Sequence, residues 1–332
     1  MNLPIENLKK VIRKIRARHY YKTRVNLHIS YTIEICTICN LKCQFCPSRL
    51  KSNIKGIRPL DDFEAVLAKL KKWLEIKHYP NCYITPSGLG EPFIVKNYVD
   101  YLVLVKKYIP DAIIHVNSNF TCTTNEQMEI IIRDNLINEI GCSLNYGDRE
   151  TYQRKCGVDL FDSVILKIDN FVNNIVKFKS NLILNLAMKK DKEISTDRQE
   201  HFNEFAANRW QGIVKVHWND ILNWGGLIDV SKFMKDNNNE LNFPCYGLCL
   251  NYYLIDLANK LYPCISGLTG PDRDDICLGT MDDDLEDIQN KLSALVKIHK
   301  NGQWKSLPRC RDCNNFAFEC YDVFYKIGNR YY

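Results

Sequence analysis

Apolar runs of β type alternate with helical patterns from residue 27 to about residue 220. The runs are LHISYTIEI (27–35), CYITPS (82–87), AIIHV (112–116), EIGCSL (139–144), NLILNLAM (181–188) and IVKVHW (213–218). Between the first two, Leu60, Phe63, Val66, Leu67, Leu70 and Leu74 fall mostly three and four residues apart, which predicts a helix. Further helices are expected near 98–108, 125–136, 161–177 and 198–207. Six strands alternating with helices imply parallel strands joined by crossover helices. Such strands make an open sheet or a partial barrel, and periodicity does not choose between them. In either case the chemistry belongs at the C-terminal ends of the strands.

The pattern divides the chain into four stretches. Residues 1–26 hold an amphipathic helix (5–18), with Leu8, Val11, Ile12 and Ile15 on one face and Lys9, Lys10, Arg13, Lys14, Arg16 and Arg18 around the rest. The simpler reading is a solvated basic helix packed by its apolar stripe; the sharper one is a docking surface for an anionic substrate, a leader peptide or a membrane. Residues 27–220 carry the alternating pattern. Residues 221–244, with Gly225-Gly226 and the polar run from Lys235 to Glu240, read as a bridge. Residues 245–332 read as a second unit stapled by metal, because so short and polar a stretch builds only a weak core by itself.

Composition narrows the class. At 45% hydrophobic and 25% charged residues, the chain is globular rather than disordered. Charge interrupts every long apolar stretch, so no membrane-spanning helix is expected. The N-terminus lacks the apolar core and cleavage site of a secretory signal, which points to the cytoplasm. Fifteen cysteines then need a purpose other than disulfides. A net charge of +6 admits an anionic partner, but no basic-aromatic platform favours nucleic acid.

The first cysteine group, Cys39-Asn-Leu-Lys-Cys43-Gln-Phe-Cys46, follows directly on the first strand. Three thiolates on a tight loop can hold three irons of a [4Fe–4S] cubane and leave the fourth open, the mark of a catalytic metal site. Cys36, at the strand end, is the disfavoured fourth ligand. The spacing C-x3-C-x-aromatic-C, with Phe45 as the aromatic, resembles the signature of the radical S-adenosylmethionine (radical SAM) superfamily. A structural zinc loop is the competing reading. The segment Ser87-Gly88-Leu89-Gly90-Glu91-Pro92 after the second strand is similar to that family's glycine-rich motif, which implies that its backbone and Glu91 hold the SAM ammonium. The resemblance further implies ribose or carboxylate contacts at Asn117, Ser143 and Asn185, each of which also suits ordinary capping or turn chemistry. It implies a partial (β/α)6 TIM-like barrel with a small C-terminal cysteine-rich domain of twitch/SPASM type.

That second unit reads Pro-Cys245, Cys249, Pro-Cys264, the turn Cys277-Leu278-Gly279, then Cys310-Arg-Asp-Cys313 and Cys320. It resembles the SPASM/twitch extension, with Asn259 in place of the hairpin glycine, a residue that tolerates the left-handed backbone. The incomplete cysteine set implies one auxiliary [4Fe–4S] cluster on Cys245, Cys264, Cys310 and Cys313, with Cys249 and Cys320 as alternates and a second, partial cluster if all six bind. A zinc held by four thiolates fits the C-x2-C pair equally well. Cys82, Cys122, Cys142 and Cys156 read as ordinary buried thiols.

The resemblance implies reductive cleavage of SAM to a 5′-deoxyadenosyl radical that abstracts hydrogen from a substrate C–H bond, with an external one-electron donor such as flavodoxin or ferredoxin. An auxiliary cluster that accepts the second electron implies dehydrogenation of a small molecule such as a sugar or aminocyclitol. Maturation of a ribosomal peptide is the alternative, disfavoured because only about forty residues precede Cys39, fewer than a separate leader-binding domain needs. A non-catalytic Fe–S or zinc protein is the reading from another class. Candidate bases are His217, Asp148 and Asp220; for an epimerisation, Cys142 or Cys156 would donate hydrogen.

Overall fold

The protein is described here by a computed structural model covering residues 28–50, 55–77, 79, 81–234, 245, 248 and 251–314. The basic helix over 5–18, the polar run, Cys249 and Cys320 lie outside these residues. Six parallel strands follow the expected runs: β1 (His28–Ile33), β2 (Asn81–Thr85), β3 (Ile113–Ser118), β4 (Glu139–Asn145), β5 (Ile183–Lys189) and β6 (Val214–Asn219). The crossovers are α1 (Leu60–Ile76), α2 (Tyr98–Tyr108), α3 (Asn125–Arg133), α4 (Arg149–Cys156), α5 (Phe161–Lys177) and α6 (Thr196–Arg209). Helix starts follow local chemistry. Thr124 accepts from the Gln127 amide at 3.1 Å while the Gln127 side chain accepts from the Thr124 amide at 3.1 Å, a reciprocal cap that satisfies two orphan donors.

Two elements differ from the sequence expectation. Residues 149–156, to which the apolar pattern assigned no element, form a helix because Asp148 caps its first turn through the Thr151 amide (2.9 Å) and Gly157 closes it in the left-handed region. Helix α3 stops at Arg133, since Asn135 turns left-handed at φ 50° and lets Leu136 swing back into the core.

The sheet does not end with the six strands. After the bridge, β7 (Tyr252–Ile255), β8 (Lys260–Tyr262) and β9 (Gly279–Thr280) extend it at the other edge, in the order β6-β5-β4-β3-β2-β1-β7-β8-β9 among the described residues. β7 lies parallel to β1, with Thr32 opposite Leu254; β8 and β9 are antiparallel. The sheet is open, a partial barrel. The β7–β8 turn passes through Asn259 at φ 59°, the left-handed conformation its sequence position called for. Arg58, 1% exposed, knots this turn to the barrel: its guanidinium bonds the Glu34 carbonyl (2.9 Å), the Asn259 side chain (2.6 Å), Asp62 and the Asp256 carbonyl. The remaining long helix, α7 (Leu285–Lys300), and the short α8 (Pro308–Arg311) complete the described chain.

Strand register sorts the two faces. His115 pairs with Glu139, Asn117 with Gly141, Gly141 with Asn185, and Asn185 with Lys215, so these side chains share one inner face. The alternate positions, Ile114, Val116, Ile140, Cys142, Leu144, Leu184, Leu186 and Met188, are fully buried in one core with the apolar stripes of the helices.

Candidate cofactor site at the strand ends

The cysteine loop leaves the end of β1 and is pinned on two sides. On one side, Lys42 and Gln44 amides donate to the Cys156 and Lys155 carbonyls at the end of α4, both at 2.9 Å. On the other, the Gly90 and Glu91 amides donate to the carbonyls of Cys36 (2.9 Å) and Ile38 (2.8 Å). Gly90 permits that approach: a Cβ there would stand 2.4 Å from the Cys36 oxygen and 2.6 Å from that of Ile38. Gly88 does the same against a side chain, where a Cβ would lie 2.6 Å from Cγ of Glu34.

Cys39, Cys43 and Cys46 are electrostatic neighbours, all largely enclosed. Burial, then the charges of Glu91 and the other two thiols, push Cys39 up to about 12. Cys46 is raised chiefly by burial, and Cys43 by its hydrogen bond with Cys156 and then by burial. Three crowded thiols that resist ionisation suit a cationic partner that relieves their repulsion, as iron would. The donor set therefore fits an iron–sulfur cluster. Cys36 stands apart: its sulfur accepts from the Ile38 amide at 3.2 Å.

The neighbouring side chains named from the sequence each have defined partners. Glu91 does not present its carboxylate outward. It is 2% exposed and accepts from the Phe93 amide (3.2 Å), the Ser118 hydroxyl (2.7 Å) and the Asn119 amide (2.6 Å), stitching the glycine segment to the end of β3. Burial, partly offset by these bonds, raises Glu91 to about 7. Asn185 lies lower on the inner face, its amide committed to Glu139 and His217. Asn117 is exposed there and Ser143 half-buried. Asp148 caps α4 and pairs with Arg198 at 2.7 Å, so its carboxylate is committed to α4 and α6. Asp220 follows β6 and lies 3.4 Å from Lys190. Cys142 points into the helix-side core, away from the inner face, and Cys156 is buried against Cys43. Phe45 packs between Tyr146 and Phe233 at 6.1 and 6.4 Å.

Two residues that the sequence reading passed over belong here. Asn119 Nδ2, on the side chain, lies 3.7 Å from Cys39 Sγ and 3.1 Å from Asn40 Oδ1. Lys189, at the end of β5, sits 5.4 Å over the Phe45 ring, within the field of Cys43 and Cys46. Asn119 belongs to the polar triplet 117–119 and Lys189 closes an apolar strand; each signal is visible but ambiguous in one dimension.

A second thiol group forms beyond the bridge. Burial, then the charges of Cys264 and Cys313, raise Cys310, so these three are neighbours. Arg309, 2% exposed, ties α8 to the Cys264 loop by donating to the Ser266 carbonyl from Nε (2.9 Å) and Nη2 (2.6 Å). Asn223 and Asn314 exchange amide-to-side-chain bonds of 2.7 and 2.9 Å, anchoring the bridge to the same place. Cys245 is half-buried. Among the described residues no three metal-type side chains converge as they would on a single ion; a cubane spreads its thiolates over separate irons.

Residues 33–195 match the family model described as "Radical SAM superfamily". A curated relative from Pyrococcus abyssi (strain GE5 / Orsay), named "Probable GTP 3',8-cyclase", is 26% identical over 161 residues, 48% of this chain and 47% of that protein, so the match spans about half of the relative. Three solved structures share the fold. BtrN in complex with AdoMet and 2-DOIA has a TM-score of 0.56 at 17% identity, covering 88% of this chain and 94% of that one. The enzyme anSMEcpe with bound AdoMet scores 0.60 at 16% identity, covering 90% and 92%. SuiB of Streptococcus suis bound to precursor peptide SuiA scores 0.58 at 16% identity, covering 87% and 70%.

Proposed function

The chain carries a radical SAM domain, with SAM and a [4Fe–4S] cluster as its cofactors, and on that premise we propose that it is a dehydrogenase acting on a small polar molecule in a biosynthetic pathway. The observation that carries this is the neighbourhood of Cys264, Cys310 and Cys313 in the second thiol group. A two-electron oxidation begun by removing one hydrogen atom needs an acceptor for the second electron. When bound, the clusters supply that chemistry: one electron enters to break SAM, and one leaves the substrate.

The chain's own residues do the holding. Cys39, Cys43 and Cys46 would ligate the first cluster, with the Asn119 amide against Cys39. The 88–90 backbone would meet the SAM ammonium, and Lys189 adds positive charge beside the loop. Cys264, Cys310 and Cys313 would hold an auxiliary cluster, completed by Cys245, Cys249 or Cys320. An external flavodoxin- or ferredoxin-type donor supplies reducing electrons, and a reducing cytoplasm keeps the thiols available. Among the described residues no helix is long and apolar enough to cross a membrane. A peptide substrate is the second reading, favoured by the shared fold with SuiB, which is bound to a precursor peptide.

The test is to reconstitute the protein with iron and sulfide and add SAM, reductant and candidate substrates deuterated at each C–H position. Deuterium appearing in 5′-deoxyadenosine identifies substrate and site together. A fully iron-loaded protein that leaves SAM intact overturns the proposal.

A further inference from the structure

Each of the three loop thiols meets one side-chain hydrogen-bonding group, and each group comes from a different element. Asn119, after β3, sets Nδ2 3.7 Å from Cys39 Sγ. Its orientation is fixed, because Asn119 Oδ1 accepts from the Thr121 amide (2.9 Å) and hydroxyl (2.6 Å), and the Thr121 amide can donate only to the oxygen end. Ser48, buried in the short turn Pro47–Arg49, sets Oγ 3.1 Å from Cys46 Sγ. Cys156, the fully buried last residue of α4, shares a hydrogen bond with Cys43. Backbone holds that contact in place: the Lys42 and Gln44 amides, on either side of Cys43, donate to the Cys156 and Lys155 carbonyls at 2.9 Å. A full charge completes the set. Lys189, the last residue of β5, holds Nζ 5.4 Å over the Phe45 ring, with Cys46 and Cys43 first among the charges acting on it. Among the described residues its ammonium has no hydrogen bond or ion pair.

Iron ligation decides which way these hydrogens point. Cys43 and Cys46, once thiolates, can only accept, so the hydrogens belong to the Cys156 thiol and the Ser48 hydroxyl. Packing does not call for the set. A thiol at 156 fills space as any small apolar side chain would, and a half-buried ammonium loses hydration that packing does not return. Electrostatics does call for it. An enclosed site resists the added negative charge of a reduced cluster, because burial removes the water that would solvate that charge. Donors to the sulfurs and a nearby cation favour it, and hydrogen bonds to an ionised acceptor are roughly twice as strong as neutral ones.

We propose that Asn119, Cys156, Ser48 and Lys189 set the reduction potential of the first cluster, raising it into the reach of a flavodoxin- or ferredoxin-type donor. This rests on Cys39, Cys43 and Cys46 as the cluster ligands and is independent of the substrate. The balance is one electron: the external donor loses it, the cluster gains it, and no proton moves and no bond breaks at the four residues. All four are positioning residues, acting through the ligand sulfurs and touching neither substrate nor reacting carbon.

The full-length protein, reconstituted with iron and sulfide and kept free of SAM, is titrated with reductant and followed by low-temperature EPR. The signal missing from Cys39→Ala identifies the first cluster. Lys189→Met should lower the equilibrium constant for its reduction about tenfold, or 59 mV for one electron, as expected of a full charge within roughly 10 Å at an effective dielectric of about 20. Cys156→Ala and Ser48→Ala should each lower it about threefold. Cys156→Ser, which restores a hydrogen donor of similar size, should return it to the parent value, a rescue that a packing role would not show. Parent potentials in all these variants at unchanged iron per chain, or Cys156→Ser behaving as Cys156→Ala, would overturn the inference and leave the ligand assignment standing. Loss of iron from Cys156→Ala would make Cys156 a ligand and overturn its part as a donor. Lys189→Met with an unmoved potential and tenfold weaker SAM binding would give the lysine to the SAM carboxylate and overturn its part. A parent chain that binds no cluster would overturn the ligand assignment and the inference together.

Discussion

Replacing Gly90 by alanine tests how the cluster loop is held. The added Cβ would meet the Cys36 and Ile38 carbonyl oxygens at 2.4 and 2.6 Å, where real Cβ contacts do not fall below 3.0 Å. The two backbones must therefore part by at least about 0.6 Å. The bonds from the Gly90 and Glu91 amides, now 2.9 and 2.8 Å, would stretch to the edge of hydrogen bonding. Each lost bond costs about 1 kcal/mol and the overpacking itself about 1–3 kcal/mol, so the expected loss is roughly 2–5 kcal/mol. In a domain of this size that lowers Tm by roughly 5–15 °C. Gly88→Ala is the comparison: its clash is with the Glu34 side chain (2.6 Å to Cγ) and not with backbone, so the loss should be smaller. The assay is thermal unfolding by circular dichroism on the cluster-free chain, with iron per chain measured after reconstitution. A Gly90→Ala protein that melts with the parent and keeps its iron, or a Gly88→Ala protein as damaged as Gly90→Ala, would refute the reasoning.

Three further outcomes are expected. Burial, partly offset by the Leu89 amide, raises Glu34 from 4.5 to about 7. The folded state thus holds this proton more tightly than the unfolded, and the stability it contributes is complete below pH 4.5 and lost as pH rises toward about 7. Glu34→Gln should flatten urea-measured stability across that window by about 3 kcal/mol. Cys36→Ala should retain the first cluster, because its sulfur is engaged by the Ile38 amide, whereas Cys39→Ala should lose it; iron analysis and low-temperature EPR separate the two. Arg58→Met removes a buried cation that ties α1, β1 and the β7–β8 turn together, and should lower unfolding free energy by about 3–5 kcal/mol in urea titration.

Helices α2 and α5 fall where the apolar spacing puts them, at Tyr98–Tyr108 and Phe161–Lys177, because each has an unbroken buried stripe. Helix α4 escaped notice because its residues are mostly polar; it is set by the Asp148 cap and by docking of the cysteine loop on its last carbonyls. The partners of Glu91 were likewise set by the fold. Its sequence position beside the glycines was legible, but the three donors that turn its carboxylate inward come from Phe93, Ser118 and Asn119.

Cys39, Cys43 and Cys46 were readable from sequence because a cluster loop is covalently local: spacing alone brings the thiols to one place. The alternation of six parallel strands with crossover helices was equally legible, since each element carries its own apolar period. Tertiary structure alone decided that Cys142 faces the helices while Asn185 faces inward, and that Glu139 stands between His115 of β3 and Asn185 of β5. It alone carried the cysteine-rich segment's hairpin onto the free edge of β1. These relations depend on register between strands far apart in the chain, where a shift of one residue reverses every side chain, and no local pattern carries that information.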